Sequence, residues 1–200
     1  RTAAAKLLWQ FDDKTVDKFL GDALKGATDE GAARKTLVGF EAWQSQDLAP
    51  LVVEFASTKE VPKTLRLAAV RTMTRIGWKG REAAVQMFSS GSAPDWLRLA
   101  AAEAARNSLD PKNSDDEGLI ASLEKAASNM VHSGSADLQA AALRLLIRYG
   151  GKAHLKGLEA AVLQGLGKPV EIKDSPGAAE VPPQQHPLLV YQVAAISKWI

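Results

Sequence analysis

Between residues 61 and 81 the chain carries six cations and no acid: Lys63, Arg66, Arg71, Arg75, Lys79 and Arg81. With Trp78 beside them, such residues can grip phosphates, and a phosphate track would make the protein a nucleic-acid binder. A track needs several like-signed contacts in succession, because each neutralised phosphate counts separately in counterion release. At 100° per residue Arg66 projects about 140° from Arg71, so one helix cannot present them together. One repeat later, as set out below, Glu103 stands at the Arg71 position and Asn107 at the Arg75 position. The resulting columns, Arg71-Glu103-Arg144 and Arg75-Asn107-Arg148, have mixed polarity, which suits a protein partner better than a polyanion. The candidate binding residues are therefore Arg71, Arg75, Arg144, Arg148 and Trp78, with protein as the first partner and nucleic acid as the second.

Residues for catalysis are poorly grouped. His132, His154 and His186 lie far apart, without metal-ligand spacing. The serines of Ser89-Ser90-Gly91-Ser92 and Ser133-Gly134-Ser135 lack a nucleophile-elbow pattern and read as turns. Gly77-Trp78-Lys79-Gly80 is too short for a phosphate loop and reads as turn chemistry. Asp115-Asp116-Glu117 reads as a capping cluster at a helix start rather than a cation site. The chain has no cysteine, which removes disulfides, thiolate metal sites and cysteine nucleophiles from this segment. The expectation is a non-enzymatic protein with no catalytic residues, no metal site and no cofactor. A net charge of +2 does not by itself argue for a polyanionic partner. No apolar run is long enough for a membrane span.

The elements that must position these side chains repeat. Leu65-Arg66-Leu67-Ala68-Ala69-Val70 returns as Leu97-Arg98-Leu99-Ala100-Ala101-Ala102. It returns again, weaker, as Leu138-Gln139-Ala140-Ala141-Ala142-Leu143 and Tyr191-Gln192-Val193-Ala194-Ala195-Ile196. Each copy has helical period: from Leu65, the residues Ala68, Ala69, Thr72, Met73 and Ile76 share a side, while Leu67, Val70, Arg71 and Thr74 point away. Alternation of the strand type is absent from the sequence, so the fold is all-α. Pro94-Asp95 and Ala136-Asp137 supply N-terminal caps, and Gly77 and Gly150 stand where chains leave helices.

An A/B pairing of helices follows. A helices fall near 14–25, 47–58, 80–90, 115–131 and 153–166, and B helices near 2–11, 31–44, 63–77, 95–108, 137–149 and 188–200. Arg34 lies 32 residues before Arg66, and Arg66 32 before Arg98. Periods of that size belong to helical solenoids, whose units share a continuous core.

The stretch Asp95-Trp96-Leu97-Arg98-Leu99-Ala100-Ala101-Ala102-Glu103-Ala104-Ala105 resembles the second helix of a HEAT-type repeat, of the HEAT/armadillo class. Arg66 and Arg98 match the family's arginine position; Gln139 and Gln192 depart from it. The resemblance implies an α-solenoid of about five antiparallel helix pairs with right-handed stacking, in which that arginine ties neighbouring repeats together. It also implies a non-catalytic scaffold that mediates protein or inter-domain contacts. Other HEAT-like proteins bind DNA in repair, or sit as structural segments in large bacterial oxidoreductases with haem-binding domains, and these are the alternatives.

Residues 1–200 are expected to form one such array. The apolar end (Leu188, Leu189, Val193, Ile196, Trp199, Ile200) and the unpaired first helix suggest a fragment of a longer protein. Five of the nine prolines lie in 167–187, expected as a loop insertion: a passive surface loop or an arm anchored by Val170, Ile172 and Val181.

Overall fold

The computed structural model describes residues 12–133 and 135–150. Among them are eight α-helices and no strand. They are α1 (Asp13–Lys25), α2 (Glu30–Trp43), α3 (Ala49–Ser57), α4 (Lys63–Met73), α5 (Trp78–Ser89), α6 (Asp95–Ser108), α7 (Glu117–Met130) and α8 (Ala136–Tyr149). One-turn 3₁₀ helices, Gln46–Leu48 and Ser114–Asp116, lead into α3 and α7. The chain is all-α, and the A and B spans expected from the sequence between 14 and 149 each hold one of these helices. The expected helices at 2–11, 153–166 and 188–200, and the proline-rich segment 167–187, lie outside the described residues. Two compact units divide the chain, Arg1–Ile120 and Ala121–Ile200, with the boundary inside α7.

In the first unit each helix packs on its sequence neighbour, as α1 on α2, α3 on α4 and α5 on α6. Helices also meet their counterparts one repeat on: α2 meets α4, α4 meets α6, and α3 meets α5. A helix enclosed this way must be apolar over a wide arc. That corrects the expected phase of α4: Val70, expected to point away, is fully buried along with Leu65, Ala69 and Met73. Ala68, expected inside, is only half-buried. The buried positions keep a 32-residue register across three helices. Ala33, Leu65 and Leu97 form one series, and Leu37, Ala69 and Ala101 the next. Alanines at the later positions let helix axes approach closely.

Helix ends follow their residues. Asp12 and Asp29 cap α1 and α2 by accepting the backbone N–H of Thr15 and Ala32. Asp95 and Asp137 occupy first turns, where a carboxylate favours the helix dipole; the cap positions are Pro94 and Ser135. Gly150 caps α8 as expected. Gly77 instead opens α5, because α4 stops at Met73. The Gly77-Trp78-Lys79-Gly80 stretch owes its glycines to this corner. Gly77 has φ 106°, which side chains avoid, and a Cβ on Gly80 would lie 1.9 Å from the Met73 carbonyl oxygen.

In the second unit Leu123, Ala126 and Ala127 of α7 are buried, as are Leu138, Ala142, Leu143, Leu145 and Leu146 of α8. Ala141 and Tyr149 of α8 are half-buried.

Candidate functional site

The basic stretch of 61–81 falls on α4, its exit and the start of α5, and most of its charge is spent inside the molecule. Arg66, buried in the first turn of α4, donates from Nε to the Ala56 carbonyl at 2.7 Å. That carbonyl belongs to the last turn of α3, where helical acceptors lack partners and the dipole is negative. The guanidinium also lies 4.7 Å from the Trp96 ring centroid, and the Lys63 ammonium 5.1 Å from it. Arg75 pairs with Glu41 of α2 at 2.6 Å, and Lys79 with Asp47 at 2.8 Å. Arg81 reaches the almost fully buried Asp116 at 2.6 Å. That approach makes an ion pair without the alignment of a hydrogen bond, for Arg81 Nε and Asp116 Oδ1 satisfy none. The second Asp116 oxygen accepts the Asp110 backbone N–H. Within the Asp115-Asp116-Glu117 cluster, Asn113 caps the turn by accepting from Asp115 N–H. Of the six cations, only the exposed Arg71 makes no ion pair, side-chain hydrogen bond or ring contact among the described residues.

Arg98 repeats the Arg66 geometry. Its Nε donates to the Phe88 carbonyl at 3.0 Å, again ten residues back and in the last turn of an A helix. Gln139, at the corresponding place in α8, donates its side-chain amide to the Ser133 carbonyl, only six residues back. The shorter side chain still satisfies a carbonyl before its helix, but a nearer one. Arg34, which shares the register, does not share the role. It is exposed and pairs with Glu30 on its own helix at 2.7 Å. Only four residues separate α1 from α2, against five between α3 and α4 and between α5 and α6.

The five residues singled out for binding therefore differ in circumstance. Arg71 and Trp78 are exposed, and Trp78 opens α5. Arg75 stands on the surface but is held by Glu41, which also accepts from the Thr72 hydroxyl. In the second unit, Arg144 and Arg148 are exposed on α8, and the Arg148 guanidinium lies 5.4 Å from the Tyr149 ring. Glu103, between Arg71 and Arg144 in its expected column, is tied to Arg106 at 2.7 Å and accepts from Asn107. His132 sits exposed in the turn after α7, whereas His154 and His186 lie outside the described residues. Among the indoles, Trp43 donates to Asp17 at 2.9 Å, and Ser45 donates to the other Asp17 oxygen. Trp9 and Trp199 are outside the described residues.

Sequence reading passed over the acidic partners Glu41 and Asp47, and took Asp116 for a capping residue rather than the partner of Arg81. The signal for the first two was available: Glu41 precedes Arg75 by 34 residues and Asp47 precedes Lys79 by 32, close to one repeat. Among the described residues no group of three or more histidines or carboxylates could hold a metal ion, and no helix is long and apolar enough to cross a membrane. No family model, no curated protein and no solved structure matches this chain.

Proposed function

We propose that this chain is a HEAT-like helical repeat acting as a non-catalytic scaffold, binding a protein partner or a neighbouring domain of its own chain. One observation carries the reading. Arg66 and Arg98, 32 residues apart, make the same bond to the last turn of the preceding helix, while Leu65 and Leu97, and Ala69 and Ala101, occupy matching buried positions. Local structure that recurs with its contacts is the signature of repeats that share a core. Counterpart packing of α2 on α4, α4 on α6 and α3 on α5 in the first unit is what stacked repeats of the HEAT type require, and right-handed stacking is part of the proposal. An array of this kind offers its exposed helix positions for recognition, here Arg71, Arg75 and Trp78 in the first unit and Arg144 and Arg148 in the second.

The competing nucleic-acid reading loses its main support to the ion pairs. A phosphate contact by Arg75, Lys79 or Arg81 competes with Glu41, Asp47 or Asp116, and Arg66 is buried with its Nε on Ala56. A track left with the exposed Arg71 and Lys63 as its unpaired cations has a shallow salt dependence.

Two measurements test the proposal. A photo-crosslinking residue at position 71 or 144, introduced in the native host, yields discrete adducts with one polypeptide or with another region of the same chain. Adducts with nucleic acid only, together with DNA affinity that falls steeply with salt and is weakened by Arg71→Ala, overturn it.

A further inference from the structure

A cavity of about 750 Å³ lies within the first unit, beside the last turns of α3 and α5 and under the loop that leads to α6. Its volume falls in the range of small-molecule pockets, about 300–1,000 Å³. Val53, Met87 and Leu97 supply apolar wall, while Arg66, Lys59 and Gln86 supply polar groups. Arg66 is over nine-tenths buried, and its structural duty uses one donor, Nε to Ala56. The terminal nitrogens Nη1 and Nη2 make no hydrogen bond among the described residues. A planar pair of such donors matches the two oxygens of a carboxylate.

The neighbouring repeat shows what sets this site apart. Arg98, which makes the same carbonyl bond, has Asp95 at 3.6 Å from its Nη1. The residue 32 positions before Asp95 is Lys63, so a cation occupies the place where Arg98 has its carboxylate. Lys63 and Arg66 both lie against Trp96, and neither these two nor Lys59 forms an ion pair among the described residues. The exposed Glu60 is the one acid in the loop between α3 and α4. Arg66 and Lys59 are thus the charged residues lining the cavity, whose other polar residues, Ser57, Gln86, Ser90 and Ser92, are neutral.

We propose that this cavity binds a carboxylate carried on a hydrocarbon, the carboxylate against Arg66 and Lys59 and the hydrocarbon against Val53, Met87 and Leu97. Two sources share that chemistry: a free aliphatic acid and the C-terminal residue of a polypeptide ending in an apolar side chain. The inference goes beyond the scaffold reading and does not depend on it, since Arg71 does not line the cavity and failure here leaves the adducts at position 71 unchanged.

Calorimetric titration of the whole 200-residue chain with octanoate, and with acetyl-Gly-Ser-Leu bearing a free C-terminus, provides the test. At least one probe binds saturably with a Kd below about 1 mM, the scale of a single small-ligand contact set. Octanol and the C-terminally amidated peptide bind at least about tenfold more weakly, as expected when a charged partner is lost. Ala93→Trp, which fills the cavity without touching the Arg66–Ala56 bond, and Gln86→Glu, which adds a like charge, each weaken binding about tenfold with an unchanged unfolding midpoint. Whichever probe binds more tightly names the source. The proposal is overturned if neither carboxylate saturates, if the neutral counterparts bind equally, or if both variants bind as the parent does. Should Ala93→Trp fail to fold, Gln86→Glu on the exposed rim decides alone.

Discussion

Two successive interfaces of the first unit, α2 against α4 and α4 against α6, solve the same packing problem with different chemistry. The first is rimmed by hydrogen bonds and ion pairs: Thr64 to Glu30, Thr72 and Arg75 to Glu41. Lys79 to Asp47 continues the pattern just beyond α4. At the second, Trp96 covers Lys63 and Arg66, and the alanines at 101 and 105 are fully buried. Trp96 stands 32 residues after Thr64, so one register position is a hydroxyl donor in one repeat and an aromatic platform in the next. The difference teaches that a repeat conserves the place of a contact rather than its type. Exposed pairs contribute little and weaken with salt, while an aromatic laid on two cations contributes through buried area as well as charge.

Breaking the aromatic side of that comparison has the largest effect. Trp96→Ala is expected to destabilise by about 3 kcal/mol, the low end for removing a packed aromatic, whereas Thr64→Ala costs at most about 1 kcal/mol. Denaturant unfolding at constant salt measures both, and equal costs would erase the distinction. Next come the arginines. Arg98→Ala leaves the buried Phe88 carbonyl without its donor and should cost about 1–3 kcal/mol. Arg34→Ala, which removes only an exposed same-helix pair, should cost about 0.5 kcal/mol or less. A cost for Arg34→Ala as large as that for Arg98→Ala would mean that register alone sets the role.

The polar interface can then be measured by itself. A double-mutant cycle with Glu41→Gln and Arg75→Gln should give a coupling of about 0.2–1 kcal/mol that shrinks as salt is added. Coupling that salt leaves unchanged would place the pair in a drier setting than its exposure indicates. The smallest effect is the response to acid. Hydrogen bonds from Arg34 and Thr64 hold Glu30 below its usual carboxylate range, and the bond from Lys79 does the same for Asp47. A carboxylate with a lowered folded value stabilises above its unfolded value, and that stabilisation is lost as pH falls through the lowered one. Carboxyl NMR titration should show both groups below the ordinary range, with Arg34→Ala returning Glu30 toward it. A Glu30 curve unmoved by Arg34→Ala would show that the pair does not form in solution.

Much of the helical layout was legible in the residues. Apolar period, the alanine runs and a 32-residue phrase located every helix between α1 and α8, because helical spacing of side chains is a local property of the chain. Three matters were decided only by tertiary packing. Val70 is buried although it lies off the main apolar stripe, because α4 is enclosed on several sides. Arg34, Arg66 and Arg98 look equivalent in sequence, yet only the latter two reach a helix end, and the connection before α2 is one residue shorter. The basic stretch of 61–81 reads as a charged surface, but its acids arrive from other helices and turns, Glu41, Asp47 and Asp116, and take up Arg75, Lys79 and Arg81. Local periodicity determines where helices form. Which charges remain available is set by residues about 30 positions away, whose approach depends on how the helices stack.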